Sequence, residues 1–444
     1  MKKRFSCICM ALLMMLSAFS MAGCGDKNNP DSSEKNNTSA GGVTTGDLSF
    51  YDNIPAELLD TTVKFATWID HKQNEAADVL SSFYDVTGIK AELVVVPQDE
   101  YITKLTALIA ANQAPDMIVD NFIFPQTLSV AQPLNDYIDV NDEFWDQEFV
   151  RNSTINGKTY FLNAKNTAWD MGQAYTLWNK TIFDDNGIKT PAEYVAEDNW
   201  NWDTAKKVIK EVSAIGDDIK GACFDADAFT AAYGGNYALY DSDKQQFVNN
   251  MNNPAIVEAY TYFKNLKIAG QADLTPSGSG SFVDGNVGLV FTGGWCIRKS
   301  GGLASMNTDD VGVTFMPKKN ASDESYPTNP GWRAYGICKG SKNPQAAAYF
   351  MRYFLDINNY DKSEIFISDE AEEIYYKTVA ATKEGTLSPA GGLYRLVYPD
   401  DVYVNYDMLW LPVEQLTTAI AKVKGIYDNC IAEGNKIIKS VAEG

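Results

Sequence analysis

The stretch TVKFATWIDHKQNEAADVLSSFYDVTGIKAELVVVPQDEYITKLTALIAANQAPDMIV, residues 62–119, alternates strand-like and helix-like segments. Short apolar runs at Thr62–Trp68, Ile89–Val96 and Pro115–Val119 predict strands, and the segments between them carry apolar residues at helical spacing. Gly88 fits the position just after the first helix. This order of elements, joined by short links, predicts a mostly parallel sheet covered by helices.

The ends of these predicted strands carry polar and aromatic side chains. Trp68 and Asp70 follow the first strand, and Asp120 and Asn121 follow the third. Ligands of parallel sheets bind at the carboxyl ends of the strands. We therefore expect a binding site to include these four residues.

Composition narrows the possible functions. The chain has 444 residues, 45% of them apolar, which is enough for two or three domains with large cores. A net charge of −21 repels phosphate backbones, so we expect no nucleic-acid partner. His71 is the one histidine, which argues against multi-histidine metal sites. We expect neither a cofactor nor a metal.

Residues 1–24 read MKKRFSCICMALLMMLSAFSMAGC, a basic start followed by an apolar stretch. This layout is typical of a secretory signal, predicted here as residues 1–23. The residues before Cys24 resemble the bacterial lipobox, which implies lipidation of Cys24. An ordinary signal or an uncleaved anchor remains possible. Residues 24–60 begin with a run of Gly, Ser, Asn and charged residues and are predicted to form a disordered tether.

The second half of the chain continues the alternation. Val287–Phe291 is a predicted strand that runs into Thr292–Trp295, and Asn343 with Pro344 predicts the start of a strong helix. Four later cysteines have no C-x-x-C spacing, which argues against a zinc site and a dithiol redox site; they are Cys223, Cys296, Cys338 and Cys430. We expect them to be free and buried, although the sequence leaves disulfide pairing open. The acidic pairs Asp225/Asp227 and Asp241/Asp243 suggest a calcium site. The loop that starts at Asp241 is not an EF-hand, because it lacks the glycine and the glutamate that such a loop requires.

Seven short segments, in order along residues 61–355, resemble the extracellular solute-binding proteins of bacterial ABC importers, in the group that takes carbohydrates. The segments are Phe65–Trp68, Ala114–Val119, Asn156–Tyr160, Trp178–Phe183, Trp200–Asp203, Phe282–Trp295 and Gly331–Pro344. The chain departs from the family pattern at Gly288–Val290, where a methionine is expected. That departure alters packing and leaves the fold prediction intact.

The resemblance implies an α/β, two-lobed periplasmic-binding-protein-like fold of type II. Each lobe would be a mostly parallel sheet flanked by helices, with a hinge between them. The implied N-terminal lobe is residues 61–165 plus 317–366, and the implied C-terminal lobe is residues 166–316 plus 367–444. By analogy, the chain crosses between lobes near 163–166 and 315–317.

The resemblance also implies the function: a lipid-anchored, extracytoplasmic receptor, monomeric, that hands a sugar or oligosaccharide to a membrane permease. A sugar needs flat aromatic faces for its C–H surfaces and carboxylates, amides or arginine for its hydroxyls. The candidates with these properties are Trp68, Asp70, Asp120, Asn121, Trp169, Asp170, Trp295, Trp332 and Arg333. No catalytic residue is predicted.

Two alternatives remain open at this stage. A secreted glycoside hydrolase would use the same aromatic and acidic residues and would need two carboxylates across the scissile bond. The same fold could also bind a noncarbohydrate solute, such as a peptide, polyamine or anion. The sequence does not identify the sugar, its length or its linkage.

Overall fold

Two five-stranded sheets organise the chain. A computed structural model describes residues 48–121, 123–167, 174–275, 280–328, 332–382, 393 and 406–443, and residues 42–444 form one compact unit. The strands are β1 Thr62–Thr67, β2 Lys90–Val95, β3 Met117–Asn121, β4 Ala131–Gln132, β5 Thr154–Ile155, β6 Lys158–Thr159, β7 Ala174–Asn179, β8 Lys220–Asp225, β9 Ala238–Asp241, β10 Gln246–Asn249, β11 Ala272–Thr275, β12 Val287–Gly293, β13 Val311–Phe315 and β14 Arg333–Cys338.

Helices lie between most of these strands. They are α1 Ala77–Thr87, α2 Tyr101–Ala110, α3 Gln147–Ser153, α4 Lys180–Asn186, α5 Pro191–Ala196, α6 Trp202–Ser213, α7 Ala226–Ala232, α8 Pro254–Ile268, α9 Gly280–Val283, α10 Pro344–Leu355, α11 Lys362–Ile365, α12 Asp369–Thr382, α13 Tyr406–Trp410 and α14 Leu416–Glu443. The 3₁₀ turns are Leu48–Tyr51, Ala56–Leu58, His71–Gln73, Gln126–Ser129, Gly294–Ile297, Thr308–Asp310, Ile357–Asn359 and Val413–Gln415.

The first sheet has the order β2-β1-β3-β14-β4. Strands β1, β2 and β3 run parallel, and β14 runs antiparallel to both β3 and β4, so four of the five strands point the same way. This sheet and the elements packed on it are the first lobe. Because β14 is reversed, its first residue, Arg333, pairs with Asn121 at the end of β3.

The second sheet repeats this plan with the order β11-β8-β12-β7-β13. Strands β8, β11 and β12 run parallel, while β7 runs antiparallel to both β12 and β13. All seven residues of β12 are buried, as expected for a central strand covered on both faces. This sheet and the elements packed on it are the second lobe.

Asp116 ties the first sheet together just before β3. Its carboxylate accepts hydrogen bonds from the Lys64 N–H in β1 at 2.9 Å, from Ser341 Oγ at 2.6 Å and from the Asn343 N–H at 3.1 Å. The segment that ends in Pro344 therefore docks onto the Ala114–Val119 segment. These contacts give a structural reason for two motifs that the sequence analysis singled out.

Within the residues that the structure describes, the chain passes between the lobes at three places. Ala164 still bridges to Trp145 in the first lobe, whereas the Thr167 carbonyl accepts a hydrogen bond from Tyr375 in α12, which packs on β13. After β13, Lys318 bridges to Asn201, so the segment after Pro317 that we assigned to the first lobe contacts the second lobe. Beyond α10, the chain rejoins the second lobe where Phe366 bridges to Arg298.

Helix α14 contacts both β10 and the first lobe. Asn435 accepts from the Phe247 N–H at 2.7 Å and donates to the Phe247 carbonyl at 3.1 Å, which fixes the helix to β10. Near the other end of the helix, the Ala442 carbonyl accepts a hydrogen bond from Asn156, a residue of the first lobe, at 3.1 Å. The two sheets and their helices confirm the predicted two-lobed α/β fold.

Residues 48–60, which we assigned to the tether, include two 3₁₀ turns. Tyr51 is buried and packs edge-on against Tyr353 of α10, with ring centroids 5.6 Å apart. The signal segment, Cys24 and the tether up to residue 47 lie outside the described residues. Among the residues that are described, no helix has the length and hydropathy to cross a bilayer. All four later cysteines are buried.

Candidate functional site

The strand ends of the two lobes define the candidate site. In the first lobe, the ends of β1 and β3 lie beside the start of β14 because β14 runs in the opposite direction. In the second lobe, the ends of β8, β11 and β12 lie beside the start of β7 for the same reason. The candidates that the structure describes follow or begin strands at these two edges.

Trp68 stands directly after β1 and is half-buried. Its indole packs edge-on against Tyr101, with centroids 5.3 Å apart and planes at 87°. The Tyr101 hydroxyl donates to the Ala66 carbonyl at 2.7 Å and accepts from the Val119 N–H at 3.1 Å. The Trp68 ring therefore rests on a tyrosine that is anchored to β1 and β3.

Trp295 lies at a strand end of the second lobe, in the 3₁₀ turn after β12, and is also half-buried. Gly302 lies against its six-membered ring: a Cβ atom added at Gly302 would sit 2.2 Å from the indole. A Cβ atom added at Gly301 would overlap the Trp295 carbonyl oxygen. The two glycines are needed because the loop folds back onto the tryptophan without room for a side chain.

A buried ion pair joins the turns that carry these two tryptophans. Glu75, shortly after Trp68, pairs with Arg298, shortly after Trp295. Ser300 also donates its hydroxyl to Glu75, at 2.9 Å. The two half-buried indoles, one on each lobe, thus belong to neighbouring turns.

Asp120 and Trp332 lie in the interior of the first lobe. Trp332 donates its indole N–H to Asp120 and stacks on Phe149, with centroids 4.9 Å apart and planes at 22°. Burial raises the pKa of Asp120 to about 7, although hydrogen bonds from Trp332 and the Ile123 N–H favour the ionised form. We predicted ligand contact for both side chains; in this structure they contact each other.

Arg333 lies in the interior of the protein, and Asp70 is hydrogen-bonded within its own turn. Arg333 is buried and lies near His71, whose pKa is lowered to about 3 by burial together with the charges of Arg333 and Arg298. Asp70 caps the His71–Gln73 turn, where it accepts from the Lys72 N–H at 3.2 Å and from the Gln73 amide at 2.5 Å.

Three remaining candidates are not described in full. Asn121 ends β3, and its backbone pairs with Arg333, but its side chain lies outside the described atoms. Trp169 and Asp170 precede β7 and lie outside the described residues altogether.

Asp225 is a site candidate that the sequence analysis considered only as a calcium ligand. It ends β8, pairs with Thr275 in register and accepts a hydrogen bond from the Ala228 N–H at 3.0 Å. Burial raises its pKa to about 7. Burial also raises the pKa of Cys296 to about 12, and the nearby Asp225 charge adds to that rise, so Asp225 lies close to the Trp295 turn.

The signal that could have found Asp225 is the one that singled out Asp120: an acid directly after a buried strand. As for metals, no group of three or more His, Cys, Asp or Glu side chains in the described part of the chain could hold an ion.

A sequence profile of the family described as "Bacterial extracellular solute-binding protein" matches residues 39–356. The chain belongs to this family. Its members act outside the cytoplasm and bind solutes. By sequence, no curated protein matches the chain.

Solved structures share the fold of this solute-binding protein. The binding protein from B. animalis subsp. lactis Bl-04, in complex with β-1,6-galactobiose, superposes with a TM-score of 0.59 at 17% identity over 85% of this chain and 98% of that one. The galacto-N-biose/lacto-N-biose I-binding protein of Bifidobacterium longum superposes with a TM-score of 0.59 at 15% identity, over 86% of this chain and 98% of that one. An ABC substrate-binding protein of Listeria monocytogenes, in complex with cycloalternan, superposes with a TM-score of 0.56 at 17% identity, over 84% of this chain and 98% of that one.

Proposed function

We propose that this solute-binding protein captures a sugar or oligosaccharide between its two lobes and delivers it to the permease of an ABC importer. The observation that carries the proposal is the pair of half-buried indoles, Trp68 and Trp295, on adjoining turns at the strand ends of opposite lobes. A ligand held between them contacts both lobes only when the lobes are close. That difference in contacts is what shifts a hinge equilibrium on binding.

The chemistry of the two turns suits a hydroxylated ring. An indole offers a large rigid face to the C–H surface of a sugar at low cost in conformational entropy. Asp70 lies just after β1, and Asp225 ends β8, the strand beside β12; a carboxylate accepts hydroxyl hydrogens in strong, charge-assisted bonds. The saccharide complexes of structures with the same fold support a carbohydrate ligand for this chain.

We further propose that the protein is a lipoprotein. Cys24 would carry the lipid after removal of residues 1–23, and the polar segment that follows would serve as a flexible tether. The folded unit would then act as a monomer on the outer face of the cell membrane. Mass spectrometry of the membrane fraction tests this, because a mature N-terminal peptide without acyl groups on Cys24 contradicts it.

Titration calorimetry of the purified protein against a glycan panel tests the main proposal. The panel should contain β-1,6-galactobiose, lacto-N-biose, a cyclic glucan and linear maltodextrins, with peptides and polyamines as the noncarbohydrate arm. We expect heat with at least one saccharide and an unchanged saccharide after incubation. Heat from the noncarbohydrate arm alone would overturn the sugar assignment, and cleavage of the glycan would favour the hydrolase alternative.

A further inference from the structure

The buried ion pair between the lobes has a role beyond holding the fold. We infer that Glu75 and Arg298 are positioning residues for ligand capture: their pairing sets the turn that carries Trp68 against the turn that carries Trp295. The spacing of the two indole faces then follows from the pair rather than from the ligand alone. This inference rests on the proposed function and assigns to the ion pair the task of aligning the two tryptophan turns.

The contacts define one geometry. The side chains of Glu75 and Arg298 are only 2% and 5% exposed. Ser300, two residues after Arg298, adds a hydroxyl hydrogen bond to the same carboxylate oxygen of Glu75. The backbone around Arg298 is itself fixed, because the Lys299 N–H donates to the Ile365 carbonyl at 2.9 Å. Only one placement of the first lobe's turn therefore satisfies the carboxylate.

Burial distinguishes this pair from the other ion pairs of the described residues. Lys299 and Glu364, immediately beside it, are 42% and 63% exposed, and Arg352 and Asp142 within the first lobe are 20% and 29% exposed. An exposed pair tolerates many separations because water replaces the partner. A buried pair does not, since either charge left alone in the interior is strongly destabilising.

The energetic consequence is selectivity for one closed arrangement. Desolvation of the two charges offsets most of their attraction, so the pair adds little to the free energy of closing as such. A closed form in which the turns are displaced, however, would bury an unpaired carboxylate or guanidinium. The pair therefore disfavours misaligned closed forms.

The test uses Glu75→Gln, Arg298→Gln and the double variant, with Glu364→Gln as the matched control that removes the neighbouring exposed pair. We expect each single variant to weaken saccharide affinity about tenfold. We expect the double variant to lose no more than the larger single loss, because both changes remove the same interaction. Urea unfolding of each variant, followed by affinity per folded molecule, separates positioning from a purely structural role.

A second readout needs no ligand. Hydrogen exchange of the free protein reports the backbone amides around Arg298, and we expect faster exchange there in both single variants but not in Glu364→Gln. Wild-type exchange together with wild-type affinity in the single variants would overturn the inference. Failure of every saccharide to bind would instead overturn the proposed function, while hydrogen exchange would still decide the role of the pair.

Discussion

Trp332 donates its indole N–H to Asp120 Oδ2 across 2.5 Å in the interior of the first lobe. Both residues are almost fully buried, so the carboxylate is held away from water by the ring that it binds. The bond links the end of β3 to the residue just before β14, two strands that also pair directly. Burial of this carboxylate raises its pKa to about 7, although the hydrogen bond from Trp332 lowers it.

Asp120 should make the protein less stable as the pH rises from about 4 to about 7. Its pKa in the folded state is about 7, against an ordinary value of 3.8, so in this range the native state binds more protons than the unfolded state. The free energy of unfolding then falls with pH, by up to about 4 kcal/mol from this group. Asp120→Asn should reduce that slope in urea unfolding. Equal slopes in wild type and Asp120→Asn would contradict the assignment.

His71 should act with the opposite sign. Its pKa is lowered from 6.5 to about 3, so between these values the unfolded state binds the extra proton. Stability from this group is present above pH 6.5 and is lost as the pH falls toward 3. Urea unfolding of wild type and His71→Gln at pH 4.5 and at pH 7.0 measures this effect. We expect the free energy of unfolding to change less between the two pH values in His71→Gln than in wild type. The same change in the free energy of unfolding in both proteins would exclude His71 as the source of this pH dependence.

Trp295→Ala should weaken saccharide binding by about 1–3 kcal/mol, in line with the loss of one ring stacked on an aromatic face. Trp68→Ala should have an effect of similar size from the other lobe. Trp410→Ala is the matched control, because that indole is 47% exposed and packs under Lys267 at 3.8 Å. Calorimetric titration of the three variants measures the difference; equal affinities would remove both turns from the site.

Gly302→Ala should weaken binding without changing any group that contacts the ligand. The added methyl would overlap the Trp295 ring, so the indole must move. Gly216→Ala is a control because a Cβ at Gly216 meets no atom within 4 Å. We expect a shifted tryptophan emission and lower affinity for Gly302→Ala alone. Wild-type affinity in that variant would show that the loop accommodates the methyl group without moving the ring.

Most of the fold could be predicted from the sequence, because the residues that mark the ends of helices and strands act locally. Gly88, at a φ of 69°, and Pro97 mark element ends that need no tertiary partner to be recognised, and β1 and β2 begin and end within a residue or so of the predicted strands. The segment after Pro317 is different. Its attachment to the second lobe depends on Lys318 pairing with residues more than a hundred positions earlier, which no local pattern encodes.

The functional site was harder to predict from the sequence, because burial decides whether a polar or aromatic side chain can contact a ligand. Position alone could not separate Trp332, which is covered by Phe149, from Trp295, which remains half-buried. Glu75 carried no sequence signal at all, since its partner Arg298 lies on the other lobe. Asp225 did carry the strand-end signal but was weighed as a calcium ligand.

The place of β14 in the first sheet has a consequence for how the chain matures. This strand separates β3 from β4, yet it is made after every strand of the second sheet. In a polypeptide that leaves a translocation channel from its N-terminus, β3 therefore has no β14 to pair with until the later half of the chain has emerged. Until then, the backbone N–H and C=O groups along that edge of β3 lack their partners in the sheet. Such long-range closure is slow and exposes apolar surface, so we expect export to depend on assistance from chaperones at the cell surface.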